Sequence, residues 1–238
     1  MKRIAILQSN YIPWKGYFDL MASVDEFIIY DTVDYTKNDW RNRNQVKTLD
    51  GPKWLSIPVN VKGKGGQPID AVTVVDDRWA PKHLSTIRHA YARAPHLSEL
   101  GPLLDDCYAR AARCERLHDI NLIFLRAIAT YLDIHTPLLD ARDHPVEGGP
   151  TERLARLCAV RGGTHYVSGP AAEAYIEPQW FPDLGLTLEY FSYDDYEPYP
   201  QLHGEFTHNV SIVDALLNLG PRTRSLLRGG RLTPHVGT

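Results

Sequence analysis

Residues 4–47 read IAILQSNYIPWKGYFDLMASVDEFIIYDTVDYTKNDWRNRNQVK, and this stretch decides the fold. Ile4 to Leu7 is a short apolar run that suits a buried strand. Asn10, Tyr11 and Pro13 then break the pattern. Gly16 opens a helical segment in which Phe18, Leu20, Met21 and Val24 make an apolar face. Phe27 to Tyr30 is a second apolar run. Strand, polar loop, helix, strand is the order of a βαβ unit, which predicts a parallel sheet. The expected fold class is α/β, with a Rossmann-like, mostly parallel sheet, and the whole chain is expected to form a single domain.

In such sheets ligands bind beyond the carboxyl ends of the strands. Both loops of the unit are rich in hydrogen-bonding side chains. Gln8, Ser9, Asn10 and Tyr11 follow the first strand; Asp31, Thr32, Asp34, Tyr35, Lys37, Asn38 and Asp39 follow the second. Trp14, Tyr17 and Trp40 are large rings set among polar groups. Arg41, Asn42, Arg43 and Asn44 alternate fixed charge with amides. Arginine offers a planar fork for phosphate or carboxylate, and asparagine both donates and accepts. A solvated edge strand with these side chains pointing outward is the plainer reading; a ligand-binding surface is the other.

At 238 residues the chain can bury a full core without disulfides or metal. Its hydrophobic content of 43% and charged content of 23% are ordinary for a globular protein. A formal charge of −3 gives no global field that would favour nucleic acid. Cys107, Cys114 and Cys158 lack a CxxC spacing, which fits a reducing cytoplasm and offers no zinc motif. No signal-like segment opens the sequence, and no apolar run is long enough to span a bilayer. Four arginines fall between Arg222 and Arg231 without an acid. They either pair with the body of the protein or stay solvated, or they grip phosphate.

Farther along, Trp54 to Val61 predicts a third strand, with Pro58 marking an edge or bulge. KGKGGQP at 62–68 is either a mobile loop or a backbone cradle for phosphate, and it lacks the GKS or GKT of a Walker motif. Ile69 to Val75 predicts a returning strand. From about 79 to 135 the pattern becomes helical, with Leu84, Ile87 and Tyr91 and then Leu117, Ile120, Ile123, Phe124 and Ile128 at helical spacing. Pro95 and Pro102 punctuate it. Cys114 and His118 stand four apart, a spacing open to a metal pair but explained as well by packing. Thr151 is placed to cap a helix over 152–161, in which Cys158 reads as a small core residue rather than a nucleophile. Thr164 to Ser168 is a short strand. Ser168, Gly169 and Pro170 turn it into AAEAYI, so Ser168 could bind an anion at a helix N-terminus or, less naturally, accept an acyl group. After a strand at Leu186 to Ser192, YDDYEPYPQLHGEF either walls a pocket with Gln201 and His203 or staples the C-terminus down. Asn209 to Gly220 is a helix, with Ser211 and Asp214 spaced as a capping pair.

QSNYIPWKGYFDL, DTVDYTKNDWRNRNQVKT, KWLSIPV, YVSGPAAEAYI, YPQLHGEF and NVSIVDALLNLG together resemble the WbqC-like family, in the expected order and over almost the whole chain. The resemblance implies a protein of O-antigen, other sugar or secondary-metabolite biosynthesis that transfers glycine or a similar aminoacyl group. It also makes Asp214, which lies in a family motif, a site candidate, with Asn218 one turn later.

The resemblance carries no defined catalytic set, so roles follow from chemistry. Acyl transfer needs a base for the attacking amine and donors for the developing oxyanion. Asp31 is expected as base or orienting group, and Asn10 and Asn42 as donors. Arg41 and Arg43 would hold a phosphate, and Tyr11, Tyr35 and Trp40 would stack on a ring. Gln8, Trp14, Lys37 and Asn44 complete the expected surface. The expected donor is an aminoacyl-tRNA or a carrier-protein thioester, and the acceptor a small molecule or nucleotide-sugar. No metal or other cofactor and no membrane are expected. The strand–loop–helix also resembles nucleotidyltransferases and class I synthetases, whose HxGH stands where this chain has Pro13, Trp14, Lys15, Gly16 and Tyr17. Without the histidines that analogy does not assign adenylation. A non-catalytic binding or scaffold protein and an ATP-dependent ligase are the other readings.

Overall fold

The structure is a computed structural model that describes residues 1–194, 196–227 and 232–234. It opens with the expected unit: β1 (Arg3–Leu7), α1 (Lys15–Ala22) and β2 (Glu26–Ile29). The two strands are parallel, with Ala5 opposite Phe27 and Leu7 opposite Ile29. Next comes an antiparallel hairpin of β3 (Arg43–Thr48) and β4 (Gly51–Ser56), separate from the main sheet. Three helices follow, α2 (Trp79–Ala90), α3 (Leu97–Ala111) and α4 (Leu117–Tyr131). The chain then alternates again through β5 (Leu138–Asp140), α5 (Pro150–Val160), β6 (His165–Ser168) and β7 (Thr187–Phe191), and continues into α6 (Ile212–Leu219) and β8 (Leu232–Pro234).

The six strands of the main sheet lie in the order β5-β2-β1-β6-β7-β8. All neighbouring pairs are parallel except β7 with β8. The chain therefore builds outward from β1 through β2 to β5, returns past β1 and builds the other way from β6. The reversal lies between β1 and β6, and the carboxyl ends of those two strands border a crevice where doubly wound sheets bind ligands.

Apolar runs form these strands because both faces of the sheet are covered. One face carries Ala5, Phe27, Ile29 and Val167 against Phe18 and Met21 of α1, Phe124 and Ile128 of α4 and Leu216 of α6. The other carries Ile4, Ile6, Ile28 and Tyr166 against Leu157 and Cys158 of α5 and Phe181. Each Val, Leu, Ile, Phe or Met among them contributes about 1.5–3 kcal/mol on burial. The helical middle shares the first of these cores, so it is a layer on the sheet. No helix among the described residues is long and apolar enough to cross a membrane.

Several local expectations give way to tertiary pairing. The strand expected at Trp54 to Val61 is shifted to Gly51–Ser56 and pairs only with β3. Ile69 to Val75 is not a strand. It starts as a 3₁₀ turn at Ile69–Ala71, and its extended end makes single bridges, Val74 to Val59 and Thr73 to Arg116. Pro102 lies inside α3 instead of ending it. Helix α5 starts at Pro150, with Glu152 accepting from the Gly149 N–H; Thr151 Oγ1 accepts instead from the Glu177 N–H at 3.2 Å. AAEAYI forms only a short 3₁₀ turn at Pro170–Ala174. Asp214 is no cap: Ser211 Oγ accepts from the Val213 N–H, while the Asp214 carboxylate turns into the core. Of the basic tail, Arg224 pairs with Asp133 at 3.1 Å, and Arg228 and Arg231 lie outside the described residues, as does Asp195 of the tyrosine-rich loop.

Candidate functional site

The loop after β1 is held in a costly shape. Ile12 has φ +37°, a region β-branched residues avoid, at a cost of about 1–3 kcal/mol. The surroundings fix it there. Asn44 Nδ2 donates to the Ile12 carbonyl at 2.9 Å and to the Tyr11 carbonyl at 3.2 Å. The Tyr11 N–H donates to the Trp40 carbonyl at 3.1 Å, and the Ile212 N–H donates to the Pro13 carbonyl at 2.9 Å. Strand β3, the segment before it and α6 thus clamp one loop.

Arg41 joins that loop through its fork. One amino group donates to Gln8 Oε1 at 3.2 Å and the other to Asn10 Oδ1, while Asp39 lies 3.4 Å away as counter-charge. Beside it lies a cavity of about 260 Å³ lined by Asn10, Pro13, Trp14, Trp40, Asn44 and Asn209. Its shape depends on Gly16. A Cβ on Gly16 would stand 2.3 Å from the Trp14 ring, so only glycine lets that indole fold back over the first turn of α1.

Lys15 stands next to Trp14 and is only 3% exposed. Its Nζ donates to His208 Nδ1 at 2.8 Å and lies 4.8 Å from the Tyr196 ring centroid and 5.7 Å from that of Trp14. Burial lowers its pKa to about 8, against an upward pull from Asp214. An amine that changes charge near neutrality suits proton transfer.

Behind the loop lies a buried polar hub. Asp31, at the end of β2, accepts from the Ser9 N–H at 2.8 Å, from Ser9 Oγ at 2.6 Å and from His118 Nδ1 at 2.8 Å. On its other side His118 Nε2 meets Arg142 at 2.8 Å and Asp140 at 3.1 Å. Asn121, one turn after His118 on α4, donates to Ser9 Oγ and to the Arg41 carbonyl, both at 2.9 Å. Serine and histidine both hydrogen-bond the carboxylate and not each other, so this is not a serine-nucleophile triad.

Gln8, Asn10, Trp14, Trp40, Arg41 and Asn44 therefore come together, with Asp31 behind them as a support that is 1% exposed. Ser168 lines a second cavity at the β1–β6 crevice, which Gln8 also borders. The remaining candidates lie elsewhere. Tyr11 is fully buried and points into the helical layer, 2.6 Å from the Tyr108 hydroxyl, so it cannot stack on a ligand. Tyr35 donates to Asn42 Oδ1, and Asn42 donates to the Ile57 carbonyl, which pins the hairpin. Arg43 covers the Trp54 ring at 4.3 Å, and Lys37 is exposed. Gln201 clamps its own loop to Lys47 Nζ at 3.1 Å and to Thr207, and His203 bonds the Ala90 carbonyl at 2.7 Å. Asp214 is fully buried between the hydroxyls of Tyr91 and Tyr199. The Cys114–His118 pairing dissolves, since Cys114 Sγ donates to the Arg110 carbonyl while His118 faces Asp31. Among the described residues no group of three His, Cys, Asp or Glu side chains could hold a metal. Lys15 and Asn121 are not singled out by the sequence, and His118 is, but as a partner of Cys114 rather than of Asp31.

A doubly wound α/β sheet with its polar constellation on the loop after β1 defines the class. Within it, the WbqC-like protein family model matches residues 8–226, so the chain belongs to that family. A curated relative, the uncharacterized protein Rv1507c of Mycobacterium tuberculosis (strain ATCC 25618 / H37Rv), is 44% identical over 228 residues, covering 96% of this chain and 98% of the relative. No solved structure matches the chain with significance.

Proposed function

We propose that the protein is a transferase that moves a glycyl, other aminoacyl or similar acyl group to an amine or hydroxyl acceptor in sugar or secondary-metabolite biosynthesis. The observation that supports this reading is the meeting of two indoles and three asparagine amides around one cavity, with the Arg41 fork on Asn10 and Lys15, whose burial lowers its pKa to about 8, packed behind Trp14. Arg41 occupies Asn10 Oδ1, so Asn10 offers a ligand its N–H side, the side an oxyanion needs. Trp14 and Trp40 supply faces for a ring of the donor or acceptor. Lys15, in its neutral form, takes the proton from the acceptor nitrogen as that nitrogen bonds the acyl carbon, and returns it to the ester oxygen or thioester sulfur as the bond to the acyl carbon breaks. Asp31 orients Ser9 and His118 and touches no substrate. The donor in this reading is an aminoacyl-tRNA or a carrier-protein thioester, made in the cytoplasm, and the acceptor is a small amine, hydroxyl compound or nucleotide-sugar.

The test incubates purified protein with glycyl-tRNA or glycyl carrier protein and a panel of amines and amino sugars, with products read by mass spectrometry. Protein-dependent amide formation that Lys15→Met abolishes is the expected result. Binding of the same compounds without turnover by the wild type would instead make this a ligand-binding member of a biosynthetic system. The saturation of Asp31 by protein donors favours that second reading.

A further inference from the structure

The second cavity has a chemistry of its own. It encloses about 150 Å³ at the carboxyl ends of β1 and β6, where the winding of the sheet reverses. Its polar lining includes Gln8, Tyr30, Arg153, Ser168 and Tyr175. The rest of the wall is apolar, with Ile6, Val33, Leu154 and Ile176.

Among the described residues, two polar atoms there are buried without a hydrogen-bond partner. Tyr30 is 7% exposed, and its hydroxyl has no hydrogen-bond partner. Arg153 Nε is buried and likewise unpartnered. Among the described residues no carboxylate pairs with the Arg153 guanidinium, although Glu152 beside it bonds Arg156 at 2.6 Å and the Gly149 N–H at 3.1 Å. A buried hydroxyl left without a bond costs about 1–3 kcal/mol. Such groups persist where a ligand completes them. Ser168, 7% exposed, adds a hydroxyl on the same wall.

Charge and size narrow the ligand. One guanidinium balances a single negative charge in a planar fork, the match for a carboxylate. A phosphate dianion would bring a second charge close to Glu152, which already occupies the N-terminus of α5. A cavity of about 150 Å³ suits an acid of a few heavy atoms. The apolar wall suits a short carbon skeleton.

We infer that this crevice is a binding site for a small organic carboxylate, held by Arg153 with Tyr30 and Ser168 and seated against Ile6, Val33 and Leu154. The site is separate from the indole-lined cavity, and the inference does not rest on the transferase reading.

Isothermal titration of the wild-type protein with propionate, butyrate and glycine, against propionamide and inorganic phosphate, tests it. Saturable binding of at least one carboxylate, with the neutral amide at least tenfold weaker, is the expected result. Arg153→Gln should weaken that carboxylate at least tenfold and Tyr30→Phe several-fold, with unchanged far-UV circular dichroism. Phosphate binding without carboxylate binding, equal binding of propionate and propionamide, or no heat at millimolar ligand would each overturn the assignment. So would full carboxylate affinity in a folded Arg153→Gln protein. The wild-type panel decides even where a variant fails to fold.

Discussion

His118 Nδ1 lies 2.8 Å from Asp31 Oδ2, and neither residue is more than 1% exposed. Asp31 closes the end of β2 onto the loop after β1 and onto α4 at once. Asp31→Ala should therefore act on stability before chemistry. It leaves His118, Ser9 Oγ and the Ser9 N–H without their acceptor, a loss of roughly 3–5 kcal/mol. Urea denaturation of the variant measures it; a midpoint like that of the wild type would make Asp31 dispensable to the fold.

Arg41 behaves differently, because it sits at the edge of the cavity. Arg41→Lys keeps the charge but not the fork that spans Gln8 and Asn10. Turnover should fall about a hundredfold, the scale of a small misplacement of reacting groups. The unfolding midpoint should hardly move. Equal turnover in the lysine variant would show that charge alone suffices.

Gly16→Ala places a methyl group 2.3 Å from the Trp14 ring. The ring must move, at a cost of about 1–3 kcal/mol. Tryptophan fluorescence should shift, and any ligand quenching should weaken. An unchanged emission spectrum would mean that the indole is not held against the glycine.

Lys15 gives a pH prediction with a definite sign. Its pKa falls from 10.5 in the unfolded chain to about 8 in the fold, because burial disfavours the ammonium. Between those values the unfolded chain binds more protons, so this residue adds stability as pH rises from about 8 to 10.5. Below pH 8 the cost of the buried charge is fully present, on the order of 3 kcal/mol. Lys15→Met should lack that alkaline gain relative to wild type. At pH 7 it should be more stable by roughly 1–3 kcal/mol, the lost contacts with His208 and Tyr196 offsetting part of the gain. Parallel denaturation series at pH 7, 9 and 10.5 check both. In the transferase reading, kcat/KM should rise toward pH 8 and then level, and Lys15→Met should be inactive although more stable.

The β1–α1–β2 unit was legible because its apolar residues repeat at strand and helix periods within thirty residues. The hairpin was less so. Arg43–Thr48 carries mostly polar side chains; Arg43 lies over the Trp54 ring and the Lys47 N–H donates to the Tyr91 hydroxyl, and no local pattern records those partners. Ile69–Val75 has the composition of a strand, but α4 and the Pro58–Asn60 segment take its backbone groups one at a time. The site divides in the same way. Gln8, Asn10 and Arg41 stand out as polar residues beside a strand end. His118 lies 87 residues from Asp31, and its sequence neighbours suggest only Cys114. Lys15 reads as a surface lysine until Tyr196 and His208 return to bury it.

Gln8 borders one cavity, Asn10 and Trp14 the other, and Arg41 grips both Gln8 and Asn10. A single guanidinium thus links a residue on the border of each cavity. A ligand that draws Gln8 toward the crevice must release or pull Arg41, and with it the amide of Asn10. If occupancy on one side shifts Arg41 in this way, thermodynamic linkage requires that occupancy on the other side change affinity by the same factor.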